Sequence, residues 1–306
     1  MTTFFLTRYT LLVTFISDFS CAAGVLAGLA IGDALGAPFE GGPPPGVPVR
    51  SFFSGGRNPR KAGEFTDDTL QALALAESLV ACRGFSSEDF MARLVRDYAL
   101  HSRFYGPTSA AVFSLVRSGT GIHEAASRVH AARGWSRSNG SVMRGAPIGV
   151  FFSGPEVEAV SHACSALTHA DPVPGACSAF VNRMVSDMCR GISRDQAFAR
   201  ALRRCRNAGV ARVLGCFGSH TPVAGLDALE ATHAALTVFM RSDRFSDCVS
   251  LAVGLGGDTD TVAAIAGALA GALYGLDGIP PEWVAHLAGR ERVLSVAHAL
   301  WSGRRG

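Results

Sequence analysis

Apolar residues recur at helical spacing along most of this chain. Residues 70–82 (LQALALAESLVAC) keep apolar side chains on one helical face and run out near Gly84. Residues 87–99 predict a second helix, capped by Ser87 and lined by Phe90, Met91, Leu94, Val95 and Tyr98. The same period runs through residues 155–167, 171–190, 194–206, 226–239 and 244–253. Alternating stretches with hairpin dipeptides are almost absent, so the pattern predicts an all-α protein. Residues 41–63 (GGPPPGVPVRSFFSGGRNPRKAG) break it, because their prolines and glycines forbid a helix. A loop that long inside a compact domain is more often functional than idle. No internal repeat or boundary divides the chain, which reads as one domain.

Composition narrows this little. A 306-residue chain with 48% hydrophobic and 17% charged residues is not a disordered one. Its formal charge of +3 is small and dispersed, so no nucleic-acid partner is expected. Eight cysteines without a CxxC pair argue against a zinc site and read as small buried hydrophobes. The N-terminus, MTTFFLTRYTLLVTFISDFSC, raises the question of a signal peptide, but Arg8 is its only early positive charge and Asp18 and Asp33 interrupt it. We expect residues 1–17 to be a poorly ordered extension ahead of a domain at 18–306, in a cytoplasmic monomer. The longest apolar run, residues 262–276, falls short of the ~20 that span a membrane, so no membrane partner is expected.

The 35 glycines change the picture more. Gly24, Gly28, Gly32 and Gly36 fall every fourth residue, as do Gly267, Gly271 and Gly275. Each costs up to about 1 kcal/mol of helix propensity against alanine, which is tolerated where another backbone comes close. These two stretches therefore predict central helices. Their flanks are acidic. The first stripe carries Asp33 and leads to Glu40, and GGDTDT before the second supplies Asp258, Asp260 and Thr261. A further cluster, Thr66, Asp67, Asp68 and Thr69, opens the helix at residue 70. Singly, each cluster reads as an N-cap. Together they offer the all-oxygen ligands that suit magnesium, manganese or calcium, and two facing helix starts could hold two ions. Zincin, dinucleotide, GxSxG and Walker patterns are all incomplete or absent.

Five ordered blocks then match a known family: residues 28–40 (GLAIGDALGAPFE), 65–79 (FTDDTLQALALAESL), 139–149 (NGSVMRGAPIG), 168–172 (THADP) and 255–275 (LGGDTDTVAAIAGALAGALYG). Through them the chain resembles the ADP-ribosylglycohydrolases, over nearly its whole length from Cys21 to Trp301. The resemblance implies an orthogonal all-α bundle with a central two-metal cleft holding two divalent ions, magnesium or manganese. By it, Thr66, Asp67, Asp68, Asp258, Asp260 and Thr261 are metal ligands and Glu40 the catalytic acidic residue. Asn139, Gly140, Ser141, Met143 and His169 would contact substrate. Arg144 reads as a structural ion-pair residue before a diphosphate clamp, and Glu40 could instead neutralise the glycine-rich loop.

The implied activity is hydrolysis of the glycosidic bond at C1″ of ADP-ribose on an acceptor, an ADP-ribosylated protein or a small conjugate. The TDDT form resembles that of the bacterial dinitrogenase-reductase type, and this resemblance implies a lean toward an arginine acceptor. Residues 41–63 and 101–107 are expected to set the acceptor. The rivals are an inactive, ADP-ribose-binding or crystallin-like relative, and a phosphoesterase using the same oxygen ligands. One departure is Gly254, where members often carry asparagine; it could loosen the turn before the metal loop.

Overall fold

The computed structural model describes residues 3–56 and 59–305, with side chains from Phe19 onward. Of the expected extension at residues 1–17, residues 1–2 and every side chain lie outside the described residues. Among the described residues there are fifteen α-helices and no strand, only isolated bridges. In chain order they are α1 (Thr3–Gly36), α2 (Asp67–Cys82), α3 (Ser87–His101), α4 (Pro107–Arg117), α5 (Ile122–Arg133), α6 (Ala146–Phe151), α7 (Glu156–Ala166) and α8 (Pro172–Met188). There follow α9 (Arg194–Arg204), α10 (Ala208–Gly215), α11 (Ala228–Met240), α12 (Phe245–Val253), α13 (Thr259–Tyr274), α14 (Pro281–His286) and α15 (Arg290–Ser302).

The helix pair α1–α13 is the axis of the bundle, as the glycine stripes predict. A Cβ added at Gly24 would overlap the carbonyl of Gly271; at Gly28, that of Gly267; at Gly32, that of Ala263; at Gly36, the backbone of Thr259 and Asp260. The partners run in opposite order, so the helices are antiparallel and touch backbone to backbone. Gly275 closes the stripe, its backbone lying where a side chain at Gly24 would go. It ends α13 at φ 68°, beside Ser20. Around this seam α2, α6, α12 and α15 pack on α1, and α8, α11 and α12 pack on α13. The segment Phe19–Phe39 is long and apolar enough to cross a membrane, yet most of it is buried in this core.

Local signals moved several boundaries. The cap of α3 is Ser86, not Ser87, and its hydroxyl accepts from the Asp89 N–H. Helix α8 starts after Asp171, whose carboxylate accepts from the Val173 N–H. Four of the cysteines are buried, as expected, whereas Cys82 and Cys216 are exposed.

Candidate functional site

The glycine seam ends where the acidic residues begin. Asp33 lies one turn before the end of α1, fully buried. It accepts from the backbone N–H of Thr66 (2.9 Å) and Thr69 (3.1 Å) and from the Thr69 hydroxyl (2.6 Å). A carboxylate on α1 thus caps the N-terminus of α2, a favourable place for negative charge. The local capping role is thereby vacated: Thr66 makes no capping bond and its hydroxyl donates to Asp68 instead (3.2 Å). Asp258, before α13, likewise makes no capping bond and accepts from the Asn139 amide (2.5 Å). The N-cap reading therefore fails for the side chains of Thr66 and Asp258.

Three loops hold the start of α13. The N–H groups of Gly41 and Gly257 donate to the carbonyls of Gly257 and Gly42, each at 2.8 Å, and the Asp258 N–H donates to Ala224 (2.8 Å). Gly256 and Gly257 sit at φ 72° and 69°, and a side chain at 257 would overlap the Ala224 carbonyl. This turn needs glycine. Gly254 does not, since it has helical angles (φ −62°, ψ −13°).

Oxygen atoms of Asp33, Asp68 and Asp260 lie within 4.8 Å of one another, as do those of Glu40, Asp258 and Asp260. Asp67 joins them, accepting from Gln71 (2.8 Å). Burial pushes the carboxyl pKa of Asp67, Asp68 and Asp260 well above the ordinary value; Asp33 raises the first two further, and Asp258 the third. Burial also raises Asp33, Asp258 and the partly exposed Glu40, the last helped by Asp258 and opposed by Arg60. Arg60 reaches Glu40 at 3.4 Å, which bears out neither the catalytic reading of Glu40 nor its loop-neutralising one. Asp68 Oδ1 is buried without a hydrogen-bond partner. An orphaned carboxylate oxygen among close acidic neighbours requires a cation or a proton. The donor set is all oxygen, so it fits a hard divalent ion.

These carboxylates floor a narrow cleft of about 120 Å³, lined by Glu40, Asp67, Asp68, Asp258, Asp260 and Thr261. Asn139, Gly140 and Met143 form part of its wall, and Thr261 donates to the Met143 sulfur (3.8 Å). Ser141 and His169 do not reach it. Ser141 is buried against Ser165 (2.8 Å), and His169, 1% exposed, lies behind Ser138. Of the loops expected to set the acceptor, residues 101–107 supply Phe104, Gly106 and Pro107 to the rim. The other loop arrives through Arg60, whose guanidinium stacks on Phe104 at 5.0 Å, with Arg103 on the same ring at 4.5 Å.

Several site residues were not legible beforehand. Asp33 stood out as an acidic flank of the first glycine stripe, but nothing assigned it a role. Thr108, Ser109, Trp135 and Ser138 line the cleft without a motif to mark them. Arg144 is wholly buried and structural, as expected, but through hydrogen bonds, not an ion pair. It donates to Gln71 Oε1 (2.8 Å), the Cys164 carbonyl (3.0 Å) and Thr168 (2.8 Å), and lies over Phe90. Because Gln71 gives its oxygen to Arg144, its amide N–H faces Asp67, so Arg144 orients that carboxylate.

The sequence pattern of the family described as ADP-ribosylglycohydrolase matches residues 17–306. An ADP-ribosylarginine hydrolase, Tri1, from Pseudomonas putida is 33% identical, covering 92% of this chain and 77% of the relative. The ADP-ribosyl-[dinitrogen reductase] glycohydrolase of Rhodospirillum rubrum is 30% identical, covering 87% of this chain and 90% of the relative. A solved ADP-ribosylglycohydrolase-related protein complex superposes with a TM-score of 0.84 at 32% identity, over 94% of this chain and 99% of that one. With an acidic cleft built between α1, α2 and α13, and a match over nearly all its length, the chain belongs to the ADP-ribosylglycohydrolase family.

Proposed function

We propose that this protein is a divalent-metal-dependent hydrolase that cleaves the glycosidic bond at C1″ of ADP-ribose linked to an acceptor, with arginine the favoured acceptor. The observation that carries the reading is the unpartnered Asp68 oxygen among carboxylates that repel one another. Thr66, Asp67 and Asp68 from α2, with Asp258, Asp260 and Thr261 from α13, would hold two magnesium or manganese ions. When bound, such ions neutralise the carboxylates and polarise substrate oxygens and a water.

The chain's own residues do the rest. Glu40 is the one partly exposed carboxylate of the group, and its raised pKa suits it to take a proton from the attacking water. The carboxylate field stabilises positive charge growing on an oxocarbenium-like ribose. Asn139 and Gln71 fix the orientation of Asp258 and Asp67 by hydrogen bonds. A cleft of about 120 Å³ is smaller than the several hundred Å³ that enclose a drug-sized ligand. An ADP-ribosyl group would therefore enter by its distal ribose, leaving the remainder along the rim, where Trp135 is 42% exposed. The arginine lean rests on the TDDT motif and on the P. putida relative's name.

Incubation with arginine- and serine-ADP-ribosylated peptides, with magnesium or manganese and then with chelator, tests this reading. Metal-dependent release of free ADP-ribose, faster from arginine, is expected. Full activity in chelator sinks the metal mechanism. A rise in melting temperature with ADP-ribose while the conjugates stay intact would instead identify a binding-only relative.

A further inference from the structure

Ser138 stands on the wall of the acidic cleft, and among the described residues its hydroxyl has one hydrogen-bond partner, Nε2 of His169 at 2.8 Å. Behind His169 the polarity of each hydrogen bond can be worked out. Arg144 can only donate, and its Nη2 donates to the Thr168 hydroxyl oxygen at 2.8 Å. Thr168 is wholly buried, and its oxygen lies 2.7 Å from Nδ1 of His169. The Thr168 hydroxyl hydrogen therefore needs an acceptor, and Nδ1 is the one in place. Were Nδ1 to carry a proton instead, that hydroxyl hydrogen would be buried with no partner. The imidazole is thus neutral, with its hydrogen on Nε2. Burial and the charge of Arg144 agree, pushing the His169 pKa down to about 3. The Nε2–H donates to Ser138, so the Ser138 hydroxyl hydrogen is left free to turn into the cleft.

We propose that Ser138 is a fixed hydrogen-bond donor to an acceptor oxygen of the ligand in the acidic cleft, with His169 the positioning residue that sets its polarity. The ligand's identity as an ADP-ribosyl group rests on the function proposed above; the polarity of the hydroxyl does not. A wall that donates favours phosphate and ribose oxygens. A guanidinium, which offers only donors, is poorly received there. The arginine side of an arginine conjugate then lies away from Ser138, toward the Phe104 and Arg60 rim. His169 thus acts on substrate through Ser138, without touching it.

Two measurements test the proposal. Nitrogen-15 spectra of histidine-labelled protein should show His169 as the Nε2–H tautomer, unchanged from about pH 5.5 to 8. An Nδ1–H tautomer, or a ring that titrates in that range, overturns it. Titration calorimetry with ADP-ribose and with ADP, both with magnesium, supplies the ligand side. The variant Ser138→Ala should bind ADP-ribose about tenfold more weakly, the loss of one hydrogen bond. A matching loss for ADP assigns the acceptor to the diphosphate, and a loss confined to ADP-ribose assigns it to the distal ribose. His169→Gln should weaken binding in the wild-type background but add nothing to Ser138→Ala, because both act through one hydroxyl. Unchanged affinity in Ser138→Ala, or additive losses in the double variant, overturns the proposal. If the wild type binds neither ligand, the ADP-ribosyl reading has failed, while the spectra still report the tautomer.

Discussion

The helices α1 and α13 meet in two different ways along one interface. Over most of its length the seam is backbone on backbone, with glycine carbonyls filling the space that side chains would take. At its end the same two helices bring together Asp33, Asp258 and Asp260, with Glu40 and α2's Asp67 and Asp68 beside them. The first region favours folding on its own. The second opposes it, because buried carboxylates repel and lose their hydration. The close approach that glycine permits is what holds the repelling groups together, so a cation bound at the proposed site would offset a cost borne by the metal-free protein's stability.

Substitutions can separate the two regions. Gly32→Leu or Gly271→Leu should have the largest effect, since each side chain would collide with a facing carbonyl. Loss of more than about 4 kcal/mol, read as failure to give a cooperative melt by circular dichroism, is expected. In the acidic region, stability and activity should part company. Asp68→Asn removes a buried charge, and its amide can donate toward the neighbouring carboxylates. In chelator its melting temperature should rise by about 2–4 °C, while metal-dependent hydrolysis falls by about 100-fold or more. A fall in both would mean that the cluster supports the fold.

The pH dependence carries the same contrast. The clustered carboxyls have raised folded pKa values, so the folded state binds more protons than the unfolded one between about pH 4 and those raised values. Their stabilising contribution is complete below the unfolded pKa and lost as pH rises through the folded one. In chelator, the melting temperature should therefore drop from about pH 5 to pH 8, and saturating magnesium should flatten or reverse that slope. The smallest effect is expected at Gly254→Asn. The position is helical, and an added Cβ would meet only the Ser250 and Leu251 carbonyls, at 3.2 and 3.3 Å. A shift in melting temperature of no more than a degree or two checks this, and a larger one would show that the turn before Asp258 is stiffer than its backbone angles imply.

What was legible in the sequence was whatever repeats or clusters locally. The fourfold glycine spacing announced the central pair, and TDDT and GGDTDT announced two sides of the cleft. Asp33 escaped because its role lies in another helix: nothing near residue 33 shows that the free N–H groups of Thr66 and Thr69 will arrive there. Short helices such as α6 and α14, six residues each, are under two turns and give no period to detect. Ser141 and His169 belonged to matching blocks, yet block membership says nothing about which side of a wall a side chain takes. The N-caps failed as explanations for Thr66 and Asp258 for a related reason, since a distant carboxylate did that work at α2.

The pairing of Gly24 with Gly271, Gly28 with Gly267 and Gly32 with Ala263 also makes the seam a ratchet. Each carbonyl occupies a notch, and the next notch lies four residues, about 6 Å, along the helix. The helices cannot slide by a fraction of a turn without backbone overlap, and a whole step would carry Asp258 and Asp260 out of reach of Asp33 and Glu40. The site's dimensions are therefore quantised. Its spacing has one workable setting, so diversification within such a scaffold is channelled into the loops around the cleft and away from the helix pair beneath it.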